Sequence, residues 1–240
     1  MPKGPKGERA PLTDRTHQLF RPASQRRFKV NGMTPITVRP TRADLSVAKI
    51  ISAHTGPRTE QAAAFLTWGA DEHILCALAA GWWLYCRGKD ANARRASDHI
   101  LLTTLVASGL PHILKSAFDQ ERPDRKTIQG HWRGVPFSGN RLDAFPSGHA
   151  VHIGALASAA STLPAKHRNV VWSIGAGLVL TRVVLLAHWA SDVVAGLVVG
   201  AVTERMLRLV TGYGRERVFP TFKPEATGVR GAPSAWSAKV

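Results

Sequence analysis

The sequence has very little cysteine, little acidic charge and no apolar stretch near its beginning. Two cysteines in 240 residues are too few for a disulfide framework or a cysteine-rich zinc module. Sixteen Asp and Glu oppose 32 Lys and Arg, which gives a formal net charge of +16. The opening stretch, MPKGPKGERAPLTDR, lacks the apolar core of a secretory signal peptide. We therefore expect neither a disulfide-stabilised module nor a cleavable signal.

The basic charge is concentrated at the two ends of the sequence. Residues 1–42 contain ten Lys or Arg against two acidic residues, with repeated Pro and Gly. Residues 212–240 contain five basic and two acidic residues, again with Gly and Pro. Such composition is typical of flexible tails. The sequence therefore predicts a basic N-terminal tail (1–42), a folded part (43–211) and a basic C-terminal tail (212–240).

The folded part contains long apolar runs that predict an all-α protein. Residues 73–86 and 99–114 carry no Asp, Glu, Lys or Arg, and residues 169–203 carry only Arg182 and Asp192. These runs are rich in Ala, Leu, Val and Gly and are too long for strands. Some are shorter than the roughly 20 residues that a membrane span needs, so a soluble helical bundle stays a serious alternative.

Three features favour a membrane-embedded bundle of about five or six helices. Gly196 and Gly200 form a GxxxG pattern, which lets membrane helices approach closely. Aromatic residues at 82–85 stand beside Arg87 and Lys89, as at a membrane interface. The short links at 87–95 and 164–169 are basic, which places them in the cytoplasm and the opposite helix ends outside. Whether residues 43–66 also cross the membrane is left open.

The first chemical motif is a Lys and an Arg seven residues apart. Lys115 and Arg122 would lie on nearly the same helix face, and Pro123 would end the helix. Two cations at a helix end can bind an anion with several oxygens. The same spacing also occurs at a solvated helix end, so this motif alone is weak.

The second motif is Pro146-Ser147-Gly148-His149 at the start of an apolar run. Ser147 is expected to cap a helix, and Gly148 permits close backbone approach to a ligand. Free N–H groups at a helix start bind anions. His149 in the first turn could transfer a proton. The alternative is an ordinary capped helix with a surface histidine.

The third motif places Arg182, His188 and Asp192 within eleven residues. His188 and Asp192 are four apart, so on one helix the carboxylate would bond one imidazole nitrogen and leave the other as a nucleophile. Arg182 is a charge within an apolar run, a common sign of a functional residue in membranes. A structural Arg182–Asp192 pair is the alternative, but it leaves His188 unexplained.

Taken in order, the three motifs K-x6-RP, PSGH and R-x5-H-x3-D resemble the signature of the type-2 phosphatidic acid phosphatase superfamily. This superfamily contains lipid phosphate phosphatases, bacterial acid phosphatases and vanadium haloperoxidases. The resemblance covers about residues 98–210. One departure is Thr181, where the family often has Ser.

The resemblance implies a role for each motif residue. His188 would attack phosphorus and form a phosphohistidine, Asp192 would orient His188, and His149 would protonate the leaving alkoxide. The remaining motif residues would bind phosphate oxygens: Lys115, Arg122, Ser147, Gly148 and Arg182. No metal and no other cofactor are expected, because three cations already neutralise the transferring group.

The sequence thus predicts a multi-pass inner-membrane hydrolase with its site facing the periplasm or exterior. Its substrate would be a lipid phosphate monoester or diphosphate, and its partner the bilayer. Nucleic acid binding is not expected, and the oligomeric state is not predicted. A soluble or periplasmic acid phosphatase and a vanadate-dependent haloperoxidase are the alternative enzymes. Arg133 and Arg141 could also contact a head group.

Overall fold

The computed structural model describes residues 36–126 and 142–214 and consists mainly of α-helices. Residues 1–35 and 215–240, which make up most of the predicted tails 1–42 and 212–240, lie outside the described residues, as do the possible head-group residues Arg133 and Arg141. A short 3₁₀ turn, Thr67–Ala70, precedes α3. The helices are α1 Arg42–His54, α2 Pro57–Leu66, α3 Glu72–Cys86, α4 Ala91–Ala117, α5 Pro123–Lys126, α6 Gly148–Ala160, α7 Ala165–Val184 and α8 Ala190–Thr211.

The centre of the bundle is the close packing of α6 against α8. A side-chain carbon built on Gly196 would stand 2.6 Å from the carbonyl oxygen of Ser147, and one on Gly200 would collide with the backbone of Val151. Gly154 of α6 meets the backbone of Leu197 in the same way. Only glycine permits this approach, so the GxxxG pattern fixes the α6–α8 interface. Helices α4 and α7 also pack against α6, which is therefore buried along much of its length.

Helix α4, with 27 residues, is the longest helix of the described residues. Asp90 caps its first turn by accepting a hydrogen bond from the backbone of Ala93 at 2.8 Å. Among the described residues, α4 alone is long and apolar enough to span a membrane by length and composition. Large apolar side chains stay exposed on the outer faces of several helices, among them Leu78, Ile113, Leu180, Val198 and Val210. Such a surface suits lipid better than water.

The segment before α3 is folded against the rest of the protein. Ile36–Thr37 forms β1, which pairs in parallel with β2, Phe118–Asp119. The predicted N-terminal tail therefore ends earlier than residue 42, because the backbone from Ile36 onward already hydrogen-bonds to the chain after α4. The region 43–66 is broken into α1 and α2 at Gly56 and Pro57, since proline begins a helix but does not continue one.

The three motifs lie together at one end of the bundle because of the directions in which the helices run. The last turns of α4 and α7 meet the first turns of α6 and α8 there. The predicted basic links 87–95 and 164–169, which the structure places in the α3–α4 and α6–α7 connections and the first turns of α4 and α7, lie at the opposite end, beside a buried polar cluster. In that cluster Glu204 is fully buried and accepts hydrogen bonds from Ser158, Arg208 and His99. The site described next is therefore confined to one end.

Candidate active site

Lys115 and Arg122 converge on one carboxylate, although they do not share a helix. Helix α4 ends at Ala117, and Phe118–Asp119 is extended, so the predicted common helix face is wrong. The Arg122 Nε and Nη2 atoms donate to Asp143 Oδ1 at 2.9 and 2.8 Å. Lys115 Nζ lies 3.8 Å from Asp143 Oδ2. Asp143 thus holds the two cations together within one ion cluster.

The extended stretch after α4 is fixed by backbone hydrogen bonds on both sides. Gln120 N donates to Leu142 O, and Ala144 N donates to Gln120 O, each at 3.1 Å. Val38 N donates to Asp119 O at 2.9 Å. These bonds bring the segment that carries Arg122 beside the segment that leads into α6. The first and second motifs therefore meet through this small sheet-like region.

Ser147 occupies the N-cap position of α6, as predicted, but its hydroxyl does not cap the helix. Ser147 is completely buried, and its Oγ has no hydrogen-bond partner among the described residues. Its backbone N–H donates to Asp192 O at 3.2 Å, which ties the starts of α6 and α8 together. An unpaired buried hydroxyl at a helix start, where the macrodipole is positive, is well suited to bind an anionic oxygen.

His149 follows in the first turn of α6 and is partly buried. It lies near enough to Arg182 and Lys115 for their charges to act on it. A histidine of the second motif therefore lies within electrostatic range of a cation of the first motif and a cation of the third. This arrangement can bring a proton donor to the edge of an anion held by the cations.

His188 lies outside α8, so it and Asp192 do not share a helix face. Helix α8 begins at Ala190. His188 Nδ1 is 2.6 Å from Ala144 O, a hydrogen bond, and 3.9 Å from Asp192 Oδ2, too far for one. Asp192 Oδ2 instead accepts from the backbone N–H of Trp189 at 2.9 Å. In this structure Asp192 stabilises the start of α8, and Ala144 fixes the imidazole.

The bond to Ala144 determines the protonation pattern of His188. A carbonyl oxygen only accepts hydrogen bonds, so Nδ1 must carry the proton. In the neutral ring Nε2 then has a free lone pair. Burial, followed by the charges of Arg182, Arg122 and Lys115, keeps the pKa of His188 well below its usual 6.5. The imidazole is therefore neutral near pH 7, the form that can act as a nucleophile.

The turn between α7 and α8 that carries His188 is tight and internally bonded. Leu186 has φ of 53°, in the left-handed region that non-glycine residues seldom adopt. The amides of Ala187 and His188 both donate to Arg182 O, at 3.1 and 3.3 Å. Asp124 N donates to Leu186 O at 3.0 Å. The third motif is thus held to the segment that follows Arg122.

Arg182 is 5% exposed although it carries a guanidinium group. Its Nη1 donates to Thr67 Oγ1 at 3.1 Å, while its Nε has no partner among the described residues. An unpaired N–H on a buried cation is a free donor for an anion. The sequence analysis left open a structural ion pair between Arg182 and Asp192. The structure instead shows Arg182 hydrogen-bonded to Thr67.

Asp44 of α1 holds the first turn of α8 in place. It is 2% exposed, and its carboxylate accepts from Ser191 N at 2.9 Å and from Ser191 Oγ at 2.8 Å. It also accepts from Thr41 N at 2.9 Å and Thr41 Oγ1 at 2.8 Å, within the capping box of α1. The segment before α3 therefore positions the turn that contains His188.

Four groups that the sequence analysis did not identify contribute to the site: Thr67, Asp44, Asp143 and the carbonyl group of Ala144. A carbonyl group has no sequence signal, and Thr67 lies in no motif. Asp143 lies within four residues of the second motif. An acidic residue so close to a predicted phosphate-binding motif could have been predicted to pair with the cations Lys115 and Arg122. Asp44 was also readable locally, since Thr41-x-x-Asp44 follows the capping-box spacing.

The assembled site has three cations, one buried hydroxyl, one neutral histidine with a free Nε2 and one further histidine. Asp143 balances one of the three positive charges, which leaves a net charge of about +2 for an anion with several oxygens. A neutral imidazole beside such an anion hole can attack an electrophilic centre that the cations hold. The geometry therefore fits nucleophilic transfer of a phosphoryl group.

Comparison with known families also points to a phosphatase. Residues 99–215 match the family model of the PAP2 superfamily. The match covers just under half of the 240 residues, and it confirms the resemblance to this superfamily. The folded segment 36–98, which supplies Asp44 and Thr67, lies before the matched region.

Two similar proteins are lipid A 1-phosphatases of Rhizobium species. The chain is 40% identical over 102 residues to the enzyme of Rhizobium etli, and the match covers 42% of this chain and 44% of the relative. It is 40% identical over 103 residues to the enzyme of Rhizobium johnstonii, which covers 42% of each chain. The matches thus span less than half the length of these relatives.

The fold is shared with a solved structure of low sequence identity. The crystal structure of Aquifex aeolicus LpxE superposes with a TM-score of 0.54 at 14% identity, covering 72% of this chain and 98% of the other. The predicted fold class, an all-α helical bundle, is confirmed.

Proposed function

We propose that this PAP2 protein is an integral-membrane phosphatase that removes a terminal phosphate from a lipid, with the 1-phosphate of lipid A as its preferred substrate. The observation that carries the chemistry is the bond between His188 Nδ1 and Ala144 O, which leaves Nε2 free to attack. The rhizobial relatives are the support for lipid A. The exposed apolar faces of the bundle support a substrate that arrives through the bilayer.

In the first step, the phosphate group is bound by the cations and by the buried Ser147 hydroxyl. His188 Nε2 attacks phosphorus in line with the bond to the lipid oxygen, and that bond breaks as the N–P bond forms. His149 gives its proton to the leaving alkoxide. The residues that would bind phosphate oxygens are Lys115, Arg122, Ser147, Gly148 and Arg182.

In the second step, water attacks the phosphohistidine and His149 accepts the proton of that water. The N–P bond breaks and inorganic phosphate leaves, which returns both histidines to their starting states. Asp192 supports this cycle indirectly, because it anchors the first turn of α8 beside the attacking ring. The three cations supply the positive charge that a metal ion provides in other phosphoryl-transfer enzymes.

The test is phosphate release by the purified protein from a panel of lipids in detergent. The panel contains lipid A, phosphatidic acid, phosphatidylglycerophosphate and a polyprenyl diphosphate, with mass spectrometry to identify the dephosphorylated product. We expect lipid A to lose its 1-phosphate and His188→Ala to be inactive. The matched control is His167→Ala, an exposed histidine at the opposite end. Equal activity of His188→Ala would refute the mechanism, and preference for another lipid would refute only the substrate.

We further propose that the protein crosses the inner membrane several times, with the active site facing the periplasm or exterior. The basic links between helices lie at the end opposite His188, which supports this orientation. Single cysteines at Ser116, on the site end, and His167, on the other end, form a matched pair after Cys76 and Cys86 are replaced. Both positions are exposed in the structure. A membrane-impermeant thiol reagent should label Ser116→Cys alone in intact cells; the reverse pattern would invert the topology.

A further inference from the structure

A groove of about 420 Å³ runs between α7 and α8, away from the catalytic residues. Helix α6 packs closely on α8 through Gly154, and it also packs on α7. Helices α7 and α8 make little contact with each other, so α6 forms the floor of the groove. Most of its lining is apolar: Ile153, Ala157, Ala176, Val179, Leu197 and Ala201.

One end of the groove is polar and basic. Ser158, Ser161, Trp172 and Arg205 line it there, where α6 ends and α7 begins. The Trp172 indole N–H donates to Ala157 O at 2.9 Å. The Arg205 side chain is 63% exposed, and its Nε donates to Ser158 Oγ at 3.1 Å.

Further positive charge surrounds this end. The Arg168 guanidinium lies 5.3 Å from the centre of the Trp172 ring, and its Nε is buried with no partner among the described residues. Arg208 Nη2 donates to Ser158 O at 2.8 Å. Glu204 is fully buried, lies 2.6 Å from Arg208 Nη2 and 3.9 Å from Arg205 Nε, and offsets one of these three positive charges. The end of the groove therefore keeps a net charge of about +2, which complements an anion.

The groove continues into the apolar outer surface of the bundle. Val198 on α8 is 56% exposed and Ile174 on α7 is 59% exposed, so the groove opens onto the surface that faces lipid tails. Ser158 is nine residues along α6 from His149, roughly 14 Å at 1.5 Å per residue. A molecule in this groove is therefore separate from a substrate at His188.

We propose that this groove binds one anionic glycerophospholipid. An acyl chain lies along Ala157 and Ala201, and the phosphate is held by Arg205 and Arg168. Trp172 contacts the boundary between chain and head group, where tryptophan is favoured in membranes. A zwitterionic lipid binds less tightly, because its choline ammonium is repelled by the arginines. The lipid is a structural ligand at the cytoplasmic end, and its binding does not depend on the proposed reaction.

The experiment is native mass spectrometry of the purified full chain titrated with phosphatidylglycerol or with phosphatidylcholine of the same acyl chains. We expect phosphatidylglycerol to bind about tenfold more tightly. Arg205→Gln should remove most of that preference, since a charged hydrogen bond to phosphate is lost. Arg94→Gln, an exposed arginine at the same end but outside the groove, should keep it.

Two further measurements test the apolar half of the site. Ala201→Phe, which fills the groove, should weaken phosphatidylglycerol binding while circular dichroism shows an unchanged helix content. Glycerol 3-phosphate, which has the anion but no acyl chain, should not compete. Equal binding of the two lipids, or equal loss in Arg205→Gln and Arg94→Gln, would overturn the proposal. So would a lipid-free dimer that both groove substitutions abolish, because a second copy of the chain would then be the occupant.

Discussion

Replacing Asp44 tests whether the segment before the matched family region holds the active site together. The carboxylate is 2% exposed and accepts four hydrogen bonds of 2.8–2.9 Å, two from Thr41 and two from Ser191. Asp44→Ala removes the α1 capping box, worth about 1 kcal/mol, and leaves the partly buried Ser191 amide unpaired, worth about 1–3 kcal/mol. We expect a loss of about 3 kcal/mol in the free energy of unfolding.

The loss is measurable as a fall in melting temperature, followed by tryptophan fluorescence in mild detergent. At about 2–4 °C per kcal/mol for a chain of this size, the expected fall is roughly 6–12 °C. The matched control is Asp98→Ala. Asp98 makes a 2.6 Å ion pair with Arg87, but its side chain is 52% exposed, so its loss should cost less than about 1 kcal/mol.

Three further measurements test whether the lost stability comes from the hydrogen bonds of Asp44. Asp44→Asn should cost less than Asp44→Ala, because one oxygen acceptor remains. Ser191→Ala should remove part of the same stabilisation, so the double variant should lose less than the sum of the two single losses. Phosphatase activity should fall in Asp44→Ala, since Ser191 is three residues from His188. If Asp44→Ala and Asp98→Ala melt within a degree of each other, the inferred contribution of Asp44 is wrong.

Three further predictions concern the reaction. His149→Ala should lose about 10²–10⁴-fold in kcat/KM on an alkyl phosphate but clearly less on p-nitrophenyl phosphate, whose leaving group needs no proton; equal losses would contradict its role as the acid. Activity should survive EDTA and be inhibited by orthovanadate, a mimic of the in-line transition state; loss in EDTA with recovery in magnesium would refute metal-independent transfer. The pKa of His188 is lowered by burial, so wild type should lose stability as pH falls below about 6.5, and His188→Asn should lose less between pH 7.5 and 5.

The sequence determined the helices and the three motifs because both are local properties. The apolar runs predicted an all-α bundle, and the structure places residues 73–86 within α3 and residues 99–114 within α4, while residues 169–203 span most of α7 and α8. The Gly196–Gly200 spacing predicted a close helix contact, and the structure shows it against α6. The order of the motifs indicated the superfamily. The apolar runs, the glycine spacing and each single motif are short local signals, and the order of the motifs is read along the sequence without knowledge of the tertiary structure.

The tertiary structure decided which groups meet, and there the local reasoning gave two wrong geometries. Lys115 and Arg122 were expected on one helix face, but the chain leaves α4 at Ala117, and β2 then pairs with β1. His188 and Asp192 were expected within one helix, but α7 ends and turns before α8 begins at Ala190. Two side chains four or seven residues apart point in a known relative direction only while the backbone between them stays helical. The ends of these helices are set by partners that are distant in the sequence.

Those partners are far away in the sequence. The carbonyl that fixes His188 is 44 residues away, and the carboxylate that holds Ser191 is 147 residues away. Periodicity shows which face of a helix is apolar, but it does not show which distant group will lie against that face. A hydrogen bond depends on a match of position and angle to within fractions of an ångström, and only the packing of the helices around α6 sets those positions. The residue types of the site could therefore be read from the sequence, whereas the partner that orients its nucleophile could not.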